Sequence, residues 1–162
     1  MKTELKFRDF SKSDLCSFAE RLACHLKVGD SILINGPVGV GKTFFISCLI
    51  KRKLSDIGIL QPVTSPTFNL VQIYDELDDP IWHFDLYRLE KPTELIEIGL
   101  EQAFHEAICL VEWPDILDKR IVARAASLSM RFSASKPDKR DLDLILPEKN
   151  FNNEKFYSSF RK

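Results

Sequence analysis

Ser31-Ile32-Leu33-Ile34-Asn35-Gly36-Pro37-Val38-Gly39-Val40-Gly41-Lys42-Thr43 decides how this chain folds. Its first five residues form a short apolar run ending at a glycine-rich turn, which predicts a buried strand. Residues 43–54 predict a helix that stops near Gly58. Between the two, Gly36 to Thr43 matches GxxxxGK[ST] in the strand–loop–helix context that this motif requires. Glycines let successive backbone N–H groups converge on phosphate oxygens, and the helix that follows offers its positive end to the same anion. Gly36, Pro37, Val38, Gly39, Val40, Gly41, Lys42 and Thr43 therefore read as a phosphate cradle, with Lys42 bridging the β and γ phosphates and Thr43 ligating Mg2+. Pro37 has no N–H, so the cradle has one donor fewer there.

Upstream, residues 3–8 alternate like a strand, and Ser11 opens a helical pattern with Asp14 three residues on. Leu15, Phe18, Ala19, Leu22, Ala23 and Leu26 share one face of that helix, which Val28-Gly29-Asp30 closes. Downstream, 68–74 and 81–87 read as strands flanking the acidic turn 75–80. Short helices follow at 92–99 and 102–106. Ala107-Ile108-Cys109-Leu110-Val111 predicts a parallel strand buried on both faces. Residues 128–132 and 142–146 alternate around Lys136-Pro137-Asp138-Lys139, which predicts an antiparallel hairpin. The order defines an α/β fold of P-loop NTPase-like type: a mostly parallel central sheet flanked by helices, with antiparallel strands and a C-terminal β-hairpin. Residues 1–147 are expected to form one domain and 148–162 a polar tail.

With 162 residues, 44% hydrophobic and 29% charged, the composition is that of one globular unit and excludes a disordered or fibrous chain. Twenty-three Lys+Arg against 24 Asp+Glu exclude a surface-wide nucleic-acid clamp. Cys16, Cys24, Cys48 and Cys109 lie in apolar-periodic stretches without metal-ligand spacing and are expected to be buried, reduced thiols. The charged start Met1 to Lys6 lacks the apolar core of a secretory signal, and no window holds 18 uninterrupted apolar residues. The expected compartment is the cytoplasm, with no membrane association.

A P-loop needs a second acidic residue to hold its metal, normally at the carboxyl end of a neighbouring apolar strand. Glu112, directly after the 107–111 run, occupies that position, and its carboxylate is expected to emerge at the sheet edge. There its loss should harm metal-dependent chemistry with little effect on stability. Trp113-Pro114 beside it reads as a wall of the site or as rim packing. Thr64-Ser65-Pro66-Thr67-Phe68 and the Asp85 segment are candidates for sensing the γ phosphate, although a Ser/Thr loop is often only a turn and Asp85 could instead anchor Arg88. His83 is expected to be a satisfied packing residue, and His25 and His105 surface or rim residues.

A GTPase reading fails, because Ser135-Lys136-Pro137-Asp138 has Ser where base readers carry Asn or Thr, and no DxxG occurs. A small kinase would want convergent arginines and a lid, whereas the nine arginines are scattered. A nucleotide-dependent binding module with negligible turnover stays open, since no residue is an unambiguous general base.

The ensemble of strand–GxxGxGKT–helix, Ser65-Pro66-Thr67-Phe68, His83-Phe84-Asp85-Leu86-Tyr87-Arg88-Leu89, Pro92-Thr93-Glu94-Leu95 and Val111-Glu112-Trp113-Pro114 resembles the TsaE (YjeE) family of bacterial P-loop ATPases, needed to make threonylcarbamoyl adenosine in tRNA. The likeness runs from about Ser11 to Pro114 and is specific in the order of its motifs. It implies ATP and Mg2+ as cofactors, served by Lys42 and Thr43, with Glu112 a magnesium ligand and Asp85 a further acid at the metal. Ser65 to Thr67 would be a switch-like loop, with Thr67 in the catalytic set. It also implies that a hairpin arginine, best matched by Arg140, approaches the nucleotide, and that Ser11 or Lys12 lies near the base. The family loop often has an acidic residue where this chain has Pro37. By this resemblance the ATPase is slow alone and acts on a TsaB/TsaD-type complex, resetting it between turnovers and meeting tRNA only through that complex.

Overall fold

The structure, a computed structural model, describes residues 3–147 and Phe160. The tail expected at 148–162 lies outside the described residues apart from Phe160, whose ring packs 5.0 Å from that of Phe18.

Seven strands make one sheet: β1 Thr3–Phe10, β2 Ser31–Asn35, β3 Val71–Tyr74, β4 Ile81–Asp85, β5 Ile108–Glu112, β6 Ala126–Phe132 and β7 Arg140–Leu146. Their spatial order is β1-β7-β6-β2-β5-β4-β3. β6, β2, β5 and β4 run parallel, while β1–β7, β6–β7 and β3–β4 pair antiparallel. The mostly parallel centre and the terminal hairpin are therefore those expected. β2 is buried along Ser31 to Ile34 and β5 along its whole length, because helices cover both faces of the sheet there.

Helix α1, Lys12–Ala23, starts where expected: Ser11 Oγ accepts from the Asp14 N–H and the Asp14 carboxylate accepts from the Ser11 N–H, a closed capping box. It packs with α2, Lys42–Asp56, over one face of the sheet around Phe18, Phe45, Ile46 and Leu49. The opposite face is covered by α3 Glu94–Glu97, α4 Leu100–Glu106 and α5 Lys119–Arg124, around Leu33, Phe84, Leu100 and Val111. α5 and the 3-10 turn Pro114–Ile116 were not expected. Both are too short for a periodic signal, and only the Asp118 side chain capping Arg120 N marks the start of α5.

Two expectations are corrected. The strand expected over 68–74 begins only at Val71, because the Leu70 N–H turns back onto Pro66 O and Leu70 sits at φ +66°. Of the four cysteines only Cys109 is a buried free thiol, with burial pushing its pKa up to about 12. Cys16 and Cys48 face each other across α1 and α2, their Cα atoms 5.3 Å apart, and are joined by a disulfide. Cys24, just past the end of α1, is exposed.

Asp143, in the middle of β7, ties the hairpin to β1 through Arg131 Nη1 at 2.5 Å and Arg8 Nη1 at 2.8 Å. The hydrogen bond from Arg131, supported by that from Arg8, holds its pKa below the usual carboxylate value despite some desolvation. Because the folded-state pKa is the lower one, the contribution is present above the ordinary carboxylate range and is lost as pH falls through the folded value. Asp143→Asn is expected to lower stability at neutral pH by about 0.5–1 kcal/mol, and to match the parent once the acid is protonated in both states. Thermal melts at the two pH values check this.

Candidate nucleotide site

The loop between β2 and α2 turns on glycines with positive φ: Gly36 at +151°, Gly39 at +78° and Gly41 at +112°. Gly36 is also sterically required, since a Cβ there would lie 2.6 Å from Met130 O and 2.9 Å from Val40 Cγ1. Gly41 caps α2 with no side-chain bond, so the first-turn N–H groups of that helix face the loop. Lys42, only 5% exposed, bends back: its Nζ donates to Gly36 O at 2.7 Å and Pro37 O at 3.1 Å, and lies 3.8 Å from the centre of the Trp113 ring. Burial lowers its pKa, opposed by the charges of Glu112 and Asp85. Among the described residues the ammonium is contacted directly by two carbonyls and a π face, with the two carboxylates acting on it from further off.

Parallel pairing of β4 with β5 sets Asp85 opposite Glu112 at the carboxyl ends of both strands. Glu112 ends β5 beside the phosphate loop, at the sheet edge where it is expected, and is enclosed there rather than solvated. It is 2% exposed, its two oxygens 2.9 and 3.0 Å from Thr43 Oγ1, and its Oε1 lies 2.9 Å from His83 Nε2. The expectation that its loss would leave stability nearly untouched is accordingly revised. Glu112→Ala strands the Thr43 hydroxyl and the His83 N–H, at about 1–3 kcal/mol for each buried group left unpaired.

Asp85, 5% exposed, accepts from Thr67 Oγ1 at 2.9 Å and from Tyr87 N at 3.1 Å. Ser65 Oγ lies 2.7 Å from Thr67 Oγ1, so the Ser65–Thr67 loop is fastened to the end of β4 beside Glu112. Arg88 instead lies against the exposed Phe68 ring. Trp113 is held at φ +57° directly after β5, its ring 4.8 Å from Tyr87, and walls the lysine.

Arg140 reaches the loop: its Nε donates to Val40 O at 2.8 Å while the guanidinium stacks on Phe132. Ser11 is committed to the α1 cap, and Lys12 Nζ lies 4.8 Å over the ring of Phe44, in the first turn of α2. Val38 is exposed at the loop tip and Val40 is buried beneath it. The turn with Ser135 to Asp138 is absorbed structurally, Lys136 pairing with Asp9 at 3.0 Å. A separate cavity of about 640 Å³, lined by Leu95, Ile96, Phe104, Ile116 and Ile121 among others, shares no residue with the phosphate loop.

His83 is the residue that sequence reasoning undervalued. It is fully buried and bonded through Nε2, yet its Nδ1 is without a hydrogen-bond partner among the described residues. The available signal was its spacing, two residues before Asp85 on the same face of β4.

The donors present suit a magnesium nucleotide. Mg2+ takes one or two protein oxygens and completes its shell with phosphate and water, and Thr43 and Glu112 supply hard oxygen donors beside the loop. Among the described residues no group of three or more His, Cys, Asp or Glu forms a self-contained metal cage, which that mode does not require.

A glycine loop at the carboxyl end of a central parallel strand, with its lysine and threonine facing an acid from the adjacent strand, defines the P-loop class of α/β proteins. Within that class the chain belongs to the TsaE family: residues 10–142 match the family described as "Threonylcarbamoyl adenosine biosynthesis protein TsaE". The tRNA threonylcarbamoyladenosine biosynthesis protein TsaE of Rickettsia prowazekii is 41% identical over 107 residues, 66% of this chain and 72% of that protein. The same-named protein of Bacillus subtilis is 33% identical over 119 residues, 73% of this chain and 72% of that one. The crystal structure of Bacillus subtilis YdiB superposes with a TM-score of 0.74 and 23% identity, covering 98% of this chain and 95% of that one, and so shares the fold. No helix among the described residues is long and apolar enough to cross a membrane.

Proposed function

We propose that the chain is a Mg2+-dependent ATPase that serves threonylcarbamoyl modification of adenosine in tRNA by acting on a TsaB/TsaD-type protein complex in the cytoplasm. The observation that carries the reading is the enclosed Lys42, held by Gly36 O, Pro37 O and the Trp113 face next to the Thr43–Glu112 pair. Phosphate gives that lysine a better partner than two carbonyls, since charge-assisted bonds to an anion are about twice as strong as neutral ones.

When bound, Mg2+ polarises the phosphoryl oxygens and offsets developing negative charge. Thr43 and Glu112 would hold it, Lys42 would turn from the carbonyls to the phosphates, and the loop N–H groups would bind the remaining phosphate oxygens. Asp85 and Thr67 couple the 65–67 loop to the same strand ends, so the loop can follow the state of the γ phosphate. Arg140, already on Val40 O, steadies the loop from the hairpin side.

Turnover in the isolated chain is expected to be slow. Asp85 and Glu112 are both engaged by protein donors, so neither carboxylate is positioned as a free base for water. A binding module with negligible turnover is the reading this observation would otherwise favour. The deciding experiment measures ATP uptake by calorimetry with and without Mg2+, then phosphate release with and without the partner complex. ATP binding and partner-stimulated release are expected, and an unchanged rate with the complex would refute the activation. Glu112→Gln, which keeps the side chain's size, is expected to reduce Mg2+-dependent hydrolysis on the order of 100-fold.

A further inference from the structure

Glu112 has few ways to stay in place once Thr43 turns to a metal. Its Oε1 is shared between Thr43 Oγ1 and His83 Nε2, whereas its Oε2 meets only Thr43 Oγ1 among the hydrogen bonds of the described residues. The threonine hydroxyl belongs to α2 and to the phosphate loop, but His83 belongs to β4, in the parallel sheet itself. Its register partner on β5 is Leu110, two residues before Glu112 on the same face, so the sheet fixes the imidazole beneath the carboxylate.

The donor direction follows from the chemistry. A carboxylate offers only lone pairs, so the 2.9 Å contact places a proton on Nε2, and the ring's other nitrogen is Nδ1. That atom is the buried one without a hydrogen-bond partner among the described residues. An apolar side chain of similar size would fill this fully buried position on β4 with no unpaired nitrogen, so packing alone does not account for an imidazole there.

We propose that His83 is a positioning residue for the metal site: its Nε2–H fixes Glu112 Oε1, so that Oε2 and Thr43 present themselves together to a divalent cation. The inference rests on the magnesium-nucleotide reading above. Partners that hold a ligating carboxylate typically change metal affinity 10–100-fold when removed.

The test uses the whole chain as wild type, His83→Leu and His83→Gln, the glutamine carrying an N–H close to the position of Nε2. Calorimetry titrates ATP at stepped Mg2+ concentrations and again in excess chelator, thermal melts monitor folding, and nitrogen-15 spectra of the wild-type ring report which nitrogen is protonated. In wild type the proton is expected on Nε2. His83→Leu is expected to need roughly 10-fold more Mg2+ for half-maximal ATP uptake, with metal-free uptake unchanged, and His83→Gln to recover most of the difference. A ring protonated on Nδ1 and bare on Nε2 overturns the proposal, as does a folded His83→Leu with the wild-type Mg2+ midpoint, or a folded His83→Gln as impaired as a folded leucine variant. Should the leucine variant not fold, the wild-type ring spectrum and a wild-type Mg2+ midpoint in His83→Gln together support it, and failure of either overturns it. Wild-type protein that takes up no ATP, or takes it up equally without Mg2+, overturns the magnesium reading and the proposal together. A normal wild type with an unaffected leucine variant overturns the proposal alone.

Discussion

Lys42→Ala is expected to weaken ATP binding roughly 10- to 100-fold while leaving the melting temperature within a few degrees of wild type. The binding loss follows from removing one charge-assisted contact of about 1.5–3 kcal/mol, with 1.4 kcal/mol per factor of ten. The small effect on stability follows from two opposed changes. Burial holds the lysine's pKa down, so at neutral pH the folded state carries an ammonium at a desolvation penalty that alanine removes. Alanine also gives up the bonds to Gly36 O and Pro37 O and the contact with Trp113. Calorimetry with ATP beside a thermal melt separates the two, and a collapse of the fold would show that this lysine is chiefly structural.

Gly36→Ala is expected to act the other way, on the fold first and on binding as a result. Its Cβ would sit 2.6 Å from the backbone oxygen of Met130, on β6, so relief requires the loop to move away from the sheet. At φ +151° the backbone is also one that side chains rarely adopt. Strain of this kind amounts to about 1–3 kcal/mol before the clash, so a loss of about 3 kcal/mol or more is expected, together with loss of ATP uptake. Gly39→Ala is the control. It has nothing within 4 Å and only the positive φ of +78°, so about 1–2 kcal/mol is expected. Urea unfolding of the two variants should rank them in this order.

The parts of the molecule legible in the sequence are those with a strong local cause. The apolar run 31–35, the glycine spacing after it and the Ser11–Asp14 cap are each fixed by neighbours a few residues away, and each element formed where expected. The alternation on either side of residues 136–139 likewise set the hairpin, with Leu128 facing Leu144. The parts that were not legible depend on contacts made across the fold. Leu70 enters a left-handed turn because of Pro66, ending a run that reads as strand. Cys16 and Cys48 meet only because α1 and α2 pack side by side.

The candidate site divides the same way. The loop and Glu112 could be placed from their positions at strand ends, whereas Asp85 reads as lying inside a strand over 81–87 and comes to the end of β4, opposite Glu112, because that strand stops there. The enclosure of Glu112 could not be placed this way, because it depends on a threonine 69 residues away and a histidine 29 residues away converging on one carboxylate. Arg140 lies 100 residues from Val40, and only the place of β7 in the sheet brings them within a hydrogen bond.

The position of β1 bears on how the chain assembles. Among the described strands it neighbours only β7, with Thr3 opposite Leu146, so β1 has no strand partner until β7 has been made. Until β7 is synthesised its apolar side, with Leu5 and Phe7, has no strand beside it to anchor it. Such distant pairing makes for slow closure, so the nascent chain is most exposed to misassociation during the interval before the β6–β7 hairpin emerges.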